Sequence, residues 1–172
     1  ATVQAVAPWR VDTLPGWLLP MDHGTVGRAR SAVPLSHAAP DPATVADVVA
    51  HYRDQGFEPA FRLPDNPLFE ATARALHAAG LHREQPTLTQ IATVSDVLAL
   101  PGGMGTKLIA QPDAGWTAMF LGEGFDPVDG ASRSAALARA QGTLFASVVE
   151  DGQTIACGAA SYSHGWLGVH GM

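Results

Sequence analysis

His170 stands at the end of the apolar run WLGVH, and His164 in the turn before it. Imidazole has an ordinary pKa near neutrality, which suits it to take a proton from an amine or ammonium. The alternative for each is a surface or structural histidine. Gly168 and Gly171 lie beside His170. They would let a ligand approach the backbone closely, or else mark a bulge. Glu123, in LGEGF, offers a carboxylate for a cationic amine; a solvated loop carboxylate is the alternative. Trp116 and Phe120 are four apart and share a helix face, as core or as a pocket wall. His23, His37, His51, His77 and His82 are scattered. None forms a His-x-x-x-His pair or lies with a cysteine, so no zinc pattern arises.

Other chemistry has weaker support. Residues 102–107 (GGMGTK) lack the spacing of a phosphate-cradling P-loop and read as a flexible connection. No Gly-x-Ser-x-Gly nucleophile elbow occurs. The single cysteine, Cys157, cannot form an intramolecular disulfide, which favours a reducing, cytoplasmic setting. No basic residue adjoins it, so it reads as a buried, inert thiol.

The bulk figures fit a folded chain. Of 172 residues, 47% are hydrophobic and 15% charged, ample for a core and unlike a disordered segment. The formal charge is −6, with one Lys among the ten basic residues. No basic stripe with interleaved aromatics is present, which argues against a nucleic-acid surface. No apolar run is long enough to span a bilayer, and no secretory signal opens the chain.

These residues must be positioned by regular elements. Residues 1–15 read as an irregular lead-in. Residues 16–21 (GWLLPM) form a strand, 22–24 a turn, and 25–35 (TVGRARSAVPL) a second strand with Arg28 and Arg30 on one face. Asp41-Pro42 starts a helix whose face carries Val45, Val48, Val49 and Tyr52, and Gly56 stops it. Residues 57–63 (FEPAFRL) read as a strand. Asp65 or Asn66 caps a second helix, and 84–94 returns as a strand. Residues 95–105 are the best linker. Beyond it, 106–111 is a strand, Asp113 caps a helix over 114–121, 126–130 is a turn, and 132–140 is a short Ala-rich helix. Residues 143–172 then alternate in three apolar runs joined by turns at Asp151-Gly152 and His164-Gly165, an antiparallel meander.

The order strand, helix, helix, three-stranded meander, carried by TLFASVVEDGQTIACGAASYSHGWLGVHGM, resembles the front half of the GNAT superfamily of N-acetyltransferases. The resemblance implies an α+β (mixed α/β) fold of two GNAT-like units, each a mostly antiparallel twisted sheet flanked by helices, the second incomplete. Residues 1–94 would be a degenerate unit without cofactor, 95–105 the linker, and 106–172 the front half of an acetyl-CoA-binding unit. This layout resembles the tandem-GNAT proteins of bacteria. In that family the last meander strand pairs its backbone with the pantetheine arm. It leads into an Arg/Gln-x-x-Gly-x-Gly/Ala loop, which the resemblance places just past Met172. It implies acetyl-CoA as co-substrate, with cofactor contacts at Val169, Gly171 and Met172. It makes His170 the candidate base, and Glu123 and Trp116 the border of the acceptor pocket. The implied reaction acetylates a primary amine of a small molecule or peptide, with no metal. The alternative is a non-catalytic binding or regulatory module. An unfinished sheet would leave the 166–172 edge open and favour pairing with another chain, as in a homo-oligomer.

Overall fold

The structure, a computed structural model, describes residues 1–103 and 105–172. Met104, inside the expected linker and the GGMGTK stretch, lies outside the described residues. The fold is α+β: two antiparallel sheets of three and four strands, with five helices among the described residues.

The first sheet is a hairpin of β1 (Arg10–Leu14) and β2 (Trp17–Met21), with β3 (Val33–Pro34) along β2. β1 lies in what the sequence offered as an irregular lead-in. Leu14 pairs with Trp17, so Pro15-Gly16 is a two-residue loop. Gly16, at φ 81°, takes a conformation that suits glycine. The expected strand over 25–35 forms only at its end. Asp22 accepts from the Gly24 amide at 2.7 Å, a local bond that competes with a ladder, and Gly27–Ala29 winds into a 3-10 turn. Arg28 and Arg30 therefore do not share a strand face.

Two further expected strands are absent. Over 57–63 only one parallel bridge forms among the described residues, Ala32 to Phe61; Pro59 removes an amide donor from that run, and Pro64 follows it directly. Residues 84–93 form no strand. Leu88 and Ile91 are 91% and 75% exposed there, so the threonine-rich alternation buries no apolar face. Thr93 instead caps a short helix, α3 (Val94–Leu98), accepting from the Asp96 amide at 3.1 Å.

The helices of this half start where the sequence placed them. Asp41 accepts from the Ala43 amide, Pro42–Thr44 makes a 3-10 turn, and α1 (Val45–Asp54) follows. Asn66 accepts from Leu68, and α2 (Glu70–Ala78) follows the turn at Pro67–Phe69. Trp17, Leu19 and Met21 of β2 pack on Val45, Val48, Val49 and Tyr52 of α1 and on Leu76 of α2. Two buried polar atoms of this core are paired: Tyr52 Oη donates to the Pro20 carbonyl at 2.9 Å, and Trp17 Nε1 to Thr44 Oγ1 at 2.8 Å.

The second sheet runs β4 (Lys107–Ile109), β5 (Thr143–Glu150), β6 (Gln153–Ser163), β7 (Trp166–His170). Both turns have positive φ at their two central residues: 49° and 79° at Asp151 and Gly152, 54° and 76° at His164 and Gly165. That backbone twist matches the strands of a tight hairpin. Between β4 and β5 lie α4 (Ala114–Ala118), capped by Asp113, and α5 (Pro127–Arg139), capped by Asp126. The expected turn at 126–130 is instead the first turn of α5, because Asp126 accepts from the Asp129 amide at 2.8 Å and Pro127 suits the first helical position.

One face of this sheet meets α4 and α5 through Trp116, Phe120, Leu137, Phe145 and Ala159. The other face leaves Leu108, Leu144, Tyr162, Leu167 and Val169 exposed.

The two halves touch through named contacts. Asp22 Oδ2 accepts from the Trp9 amide at 3.0 Å and from Arg139 Nη2 at 2.9 Å. Arg139 also donates to the Ala7 carbonyl. Thr25 donates its amide to Ser132 and its hydroxyl to Asp129. Replacing Arg139 with alanine leaves Asp22, only 8% exposed, with its two backbone donors but no counter-charge. Urea unfolding should show a loss of about 1–2 kcal/mol, the scale of a hydrogen bond to a charged group.

Candidate functional site

The four candidate residues Val169, His170, Gly171 and Met172 sit together at the end of β7, an edge strand among the described residues. Every second amide and carbonyl of an antiparallel edge points away from its neighbour. Val169 and Met172 are exposed on the open face of the sheet. There they border a hollow of about 210 Å³ floored by small residues, among them Ala146, Ala156, Gly158 and Ala160. Gly171 leaves the strand at φ 60° and passes tightly over the helices. A Cβ on it would lie 2.7 Å from Leu137 Cδ1 and 3.2 Å from Phe120 Cζ. Only glycine meets both the backbone and the packing demand there.

His170 faces the helix side, opposite Ala159, and is 8% exposed. Its Nδ1 lies 2.8 Å from Arg28 Nη1, contributed by the 3-10 turn of the first half. Burial, and after it the Arg28 charge, hold the imidazole below its ordinary pKa. Arg28 is itself pushed down by burial and by Arg133. A guanidinium only donates. Nδ1 must therefore present its lone pair, and the neutral ring carries its hydrogen on Nε2. In this geometry neither ring nitrogen offers a free lone pair for the base expected at His170. The basic nitrogen is engaged by a cation, and the other nitrogen has no lone pair to offer.

The remaining candidates are dispersed. Trp116 is fully buried: its indole N–H donates to the Gly158 carbonyl at 2.9 Å, and its ring packs on Phe120 and Phe145. It presents no surface to an acceptor and supports the sheet from within. Glu123 is exposed between α4 and α5, with no hydrogen bond or ion pair among the described residues. His164 forms the β6–β7 turn. Burial raises the pKa of Cys157, whose thiol faces the Gly171 carbonyl at 3.8 Å; the thiol form is favoured, as for an inert cysteine. Among the described residues no cluster of three His, Cys, Asp or Glu could hold a metal, and no helix is long and apolar enough to cross a membrane.

Two features escaped the sequence. Arg28 carries no local signal of a partner 142 residues away. A cleft of about 590 Å³ opens between the halves, lined by Trp9, His23, Asp22, Ser132 and Arg139. It depends on the docking of the two halves, which no local pattern encodes.

A family model described as "probable histone acetyltransferase Rv0428c C-terminal" matches residues 1–172. The chain belongs to that family. Its description makes the family acetyltransferase-related, and the match spans both sheets. No curated protein and no solved structure matches the chain.

Proposed function

We propose that the chain serves an N-acetyltransferase that uses acetyl-CoA, with a GNAT-type β7 as the strand along which the donor lies. The whole-length match to an acetyltransferase-related family carries this reading. The edge position of β7 and the two helices before the meander support it. The tandem arrangement belongs to the same proposal: a cofactor-free unit over 1–94, a linker over 95–105, and a donor-binding unit over 106–172. A cytoplasmic setting and pairing between copies at the open edge extend it.

Acetyl-CoA supplies an activated acyl carbon as a thioester. The amine nitrogen attacks that carbon, the C–N bond forms, the C–S bond breaks, the ammonium loses its proton and the thiolate gains one. The backbone groups of β7 near Val169, Gly171 and Met172 orient the acyl group by hydrogen bonds. The acceptor is a primary amine on a small molecule or a peptide. The family description names histone, and a chain of net charge −6 attracts a cationic lysine-rich peptide. Glu123, exposed and unpaired among the described residues, is a carboxylate available to such an amine.

Calorimetric titration of the full chain with acetyl-CoA tests the reading. Saturable binding is expected, followed by acetylation of a lysine peptide detected by mass. Absence of binding to a chain of verified mass would favour a non-catalytic binding or regulatory module.

A further inference from the structure

His170 Nε2 makes no hydrogen bond among the described residues, although the side chain is nine-tenths buried. It leans back over Gly168: a Cβ there would lie 2.5 Å from Nε2, so the glycine makes room for the ring. Gly168 pairs across the sheet with Ser161, and Ser161 with Thr143. Both residues are buried and neither hydroxyl makes a hydrogen bond among the described residues, but only that of Thr143 is fully enclosed. Directly opposed residues place their Cβ atoms about 5 Å apart. One row therefore holds three polar groups without a hydrogen-bond partner among the described residues, Nε2–H and two hydroxyls, on the helix side of β5, β6 and β7. A buried polar group without a partner is costly; of the three only the Thr143 hydroxyl is shut off completely, which leaves Nε2–H and the Ser161 hydroxyl as the two open to a ligand.

We propose that Arg28 is a positioning residue: it holds His170 as a neutral Nε2–H donor that, with the Ser161 hydroxyl, receives an oxygen of the ligand carried by β7. That oxygen is a carbonyl, or the oxyanion it becomes when an amine adds. A fixed donor placed where charge develops lowers the barrier more than one that must reorient. Arg28 is the charge set against the imidazole. Arg133 of α5 and Arg62 lie behind it, and the Cys157 thiol of β6 faces the neighbouring Gly171 carbonyl. Neither Arg28 nor His170 forms an ion pair with a carboxylate among the described residues, so no such charge stabilises an imidazolium. The first half thereby contributes a side chain to the site of the second. The ligand's identity rests on the acetyl-donor reading, whereas the tautomer does not.

Nitrogen-15 NMR of histidine in the full chain reads the tautomer directly. At pH 7 His170 should show a bare Nδ1 and a protonated Nε2, with a titration midpoint below the ordinary value of about 6.5. Arg28→Gln keeps a donor without the charge and should raise the midpoint while preserving the tautomer. Arg28→Met should raise it and mix the tautomers. A protonated Nδ1 at pH 7, or a His170 signal indifferent to both substitutions, would overturn the proposal. Arg28→Gln and the unaltered chain decide this even where Arg28→Met fails to fold. Added acetyl-CoA should then move the Nε2 signal. Calorimetric binding without that movement would also overturn the donor role. Absence of any binding would instead sink the acetyl-donor reading, and the tautomer would still be judged by the first measurement.

Discussion

Trp116→Ala should cost the protein about 5 kcal/mol. The ring is fully buried and meets Phe120 at 4.8 Å and Phe145 at 5.0 Å between centroids. Truncating a buried aromatic to alanine removes about 3–5 kcal/mol through lost burial and the cavity left behind. The Gly158 carbonyl also loses its donor in the middle of the sheet, adding about 1–3 kcal/mol where water cannot replace it. Against a total stability of about 5–15 kcal/mol, this approaches global unfolding. Trp116→Phe separates the two contributions, since it keeps most of the packing and loses only the N–H. It should cost about 1–2 kcal/mol. Denaturant melts of both variants give the answer, and a loss below about 1 kcal/mol for the alanine would show that the sheet is not supported from this side.

Gly130→Ala should also destabilise, although helix propensity predicts the reverse. Alanine inside a helix is favoured over glycine by about 1 kcal/mol. The site decides otherwise, because a Cβ on Gly130 would collide with the backbone carbonyl of Phe120. Backbone cannot rotate aside as a side chain can. The end of α4 must separate from the start of α5, opening the packing around Phe120 and Leu137 that also carries Gly171. Overpacking of this kind costs about 1–3 kcal/mol, enough to cancel the propensity gain and leave a net loss. Thermal unfolding should show a lower midpoint for Gly130→Ala, while Gly27→Ala, where a Cβ meets nothing within 4 Å, should be close to neutral.

The same contrast explains what could be read from the chain. The meander was legible because its information is local: alternating residues and Asp-Gly and His-Gly turns set the strands and their register. The helix starts at Asp41-Pro42 and Asn66-Pro67 were legible for the same reason. Residues 25–35 and 84–94 misled because β-type composition is not enough. One is diverted by the Asp22 turn, and the other has no apolar surface to pack against. The grouping of Val169, His170, Gly171 and Met172 at the end of one strand was legible, but the surroundings of His170 were not. A histidine in sequence carries no sign that a guanidinium from the other half will occupy its lone pair. Trp116 shows the converse: its type suited either wall or core, and only the fold places it at 0% exposure.

Hydrogen exchange of the full chain, with and without acetyl-CoA, tests the central claim most directly. The amides of β7 that point away from β6 should exchange freely in the unliganded protein, because an edge lacks partners on that side. If the donor lies along this strand, acetyl-CoA should slow exchange in peptides covering residues 166–172 and leave β1 and β2 unchanged. Protection confined to the first sheet, or no protection at saturating acetyl-CoA, would contradict the assignment of β7 as the donor strand.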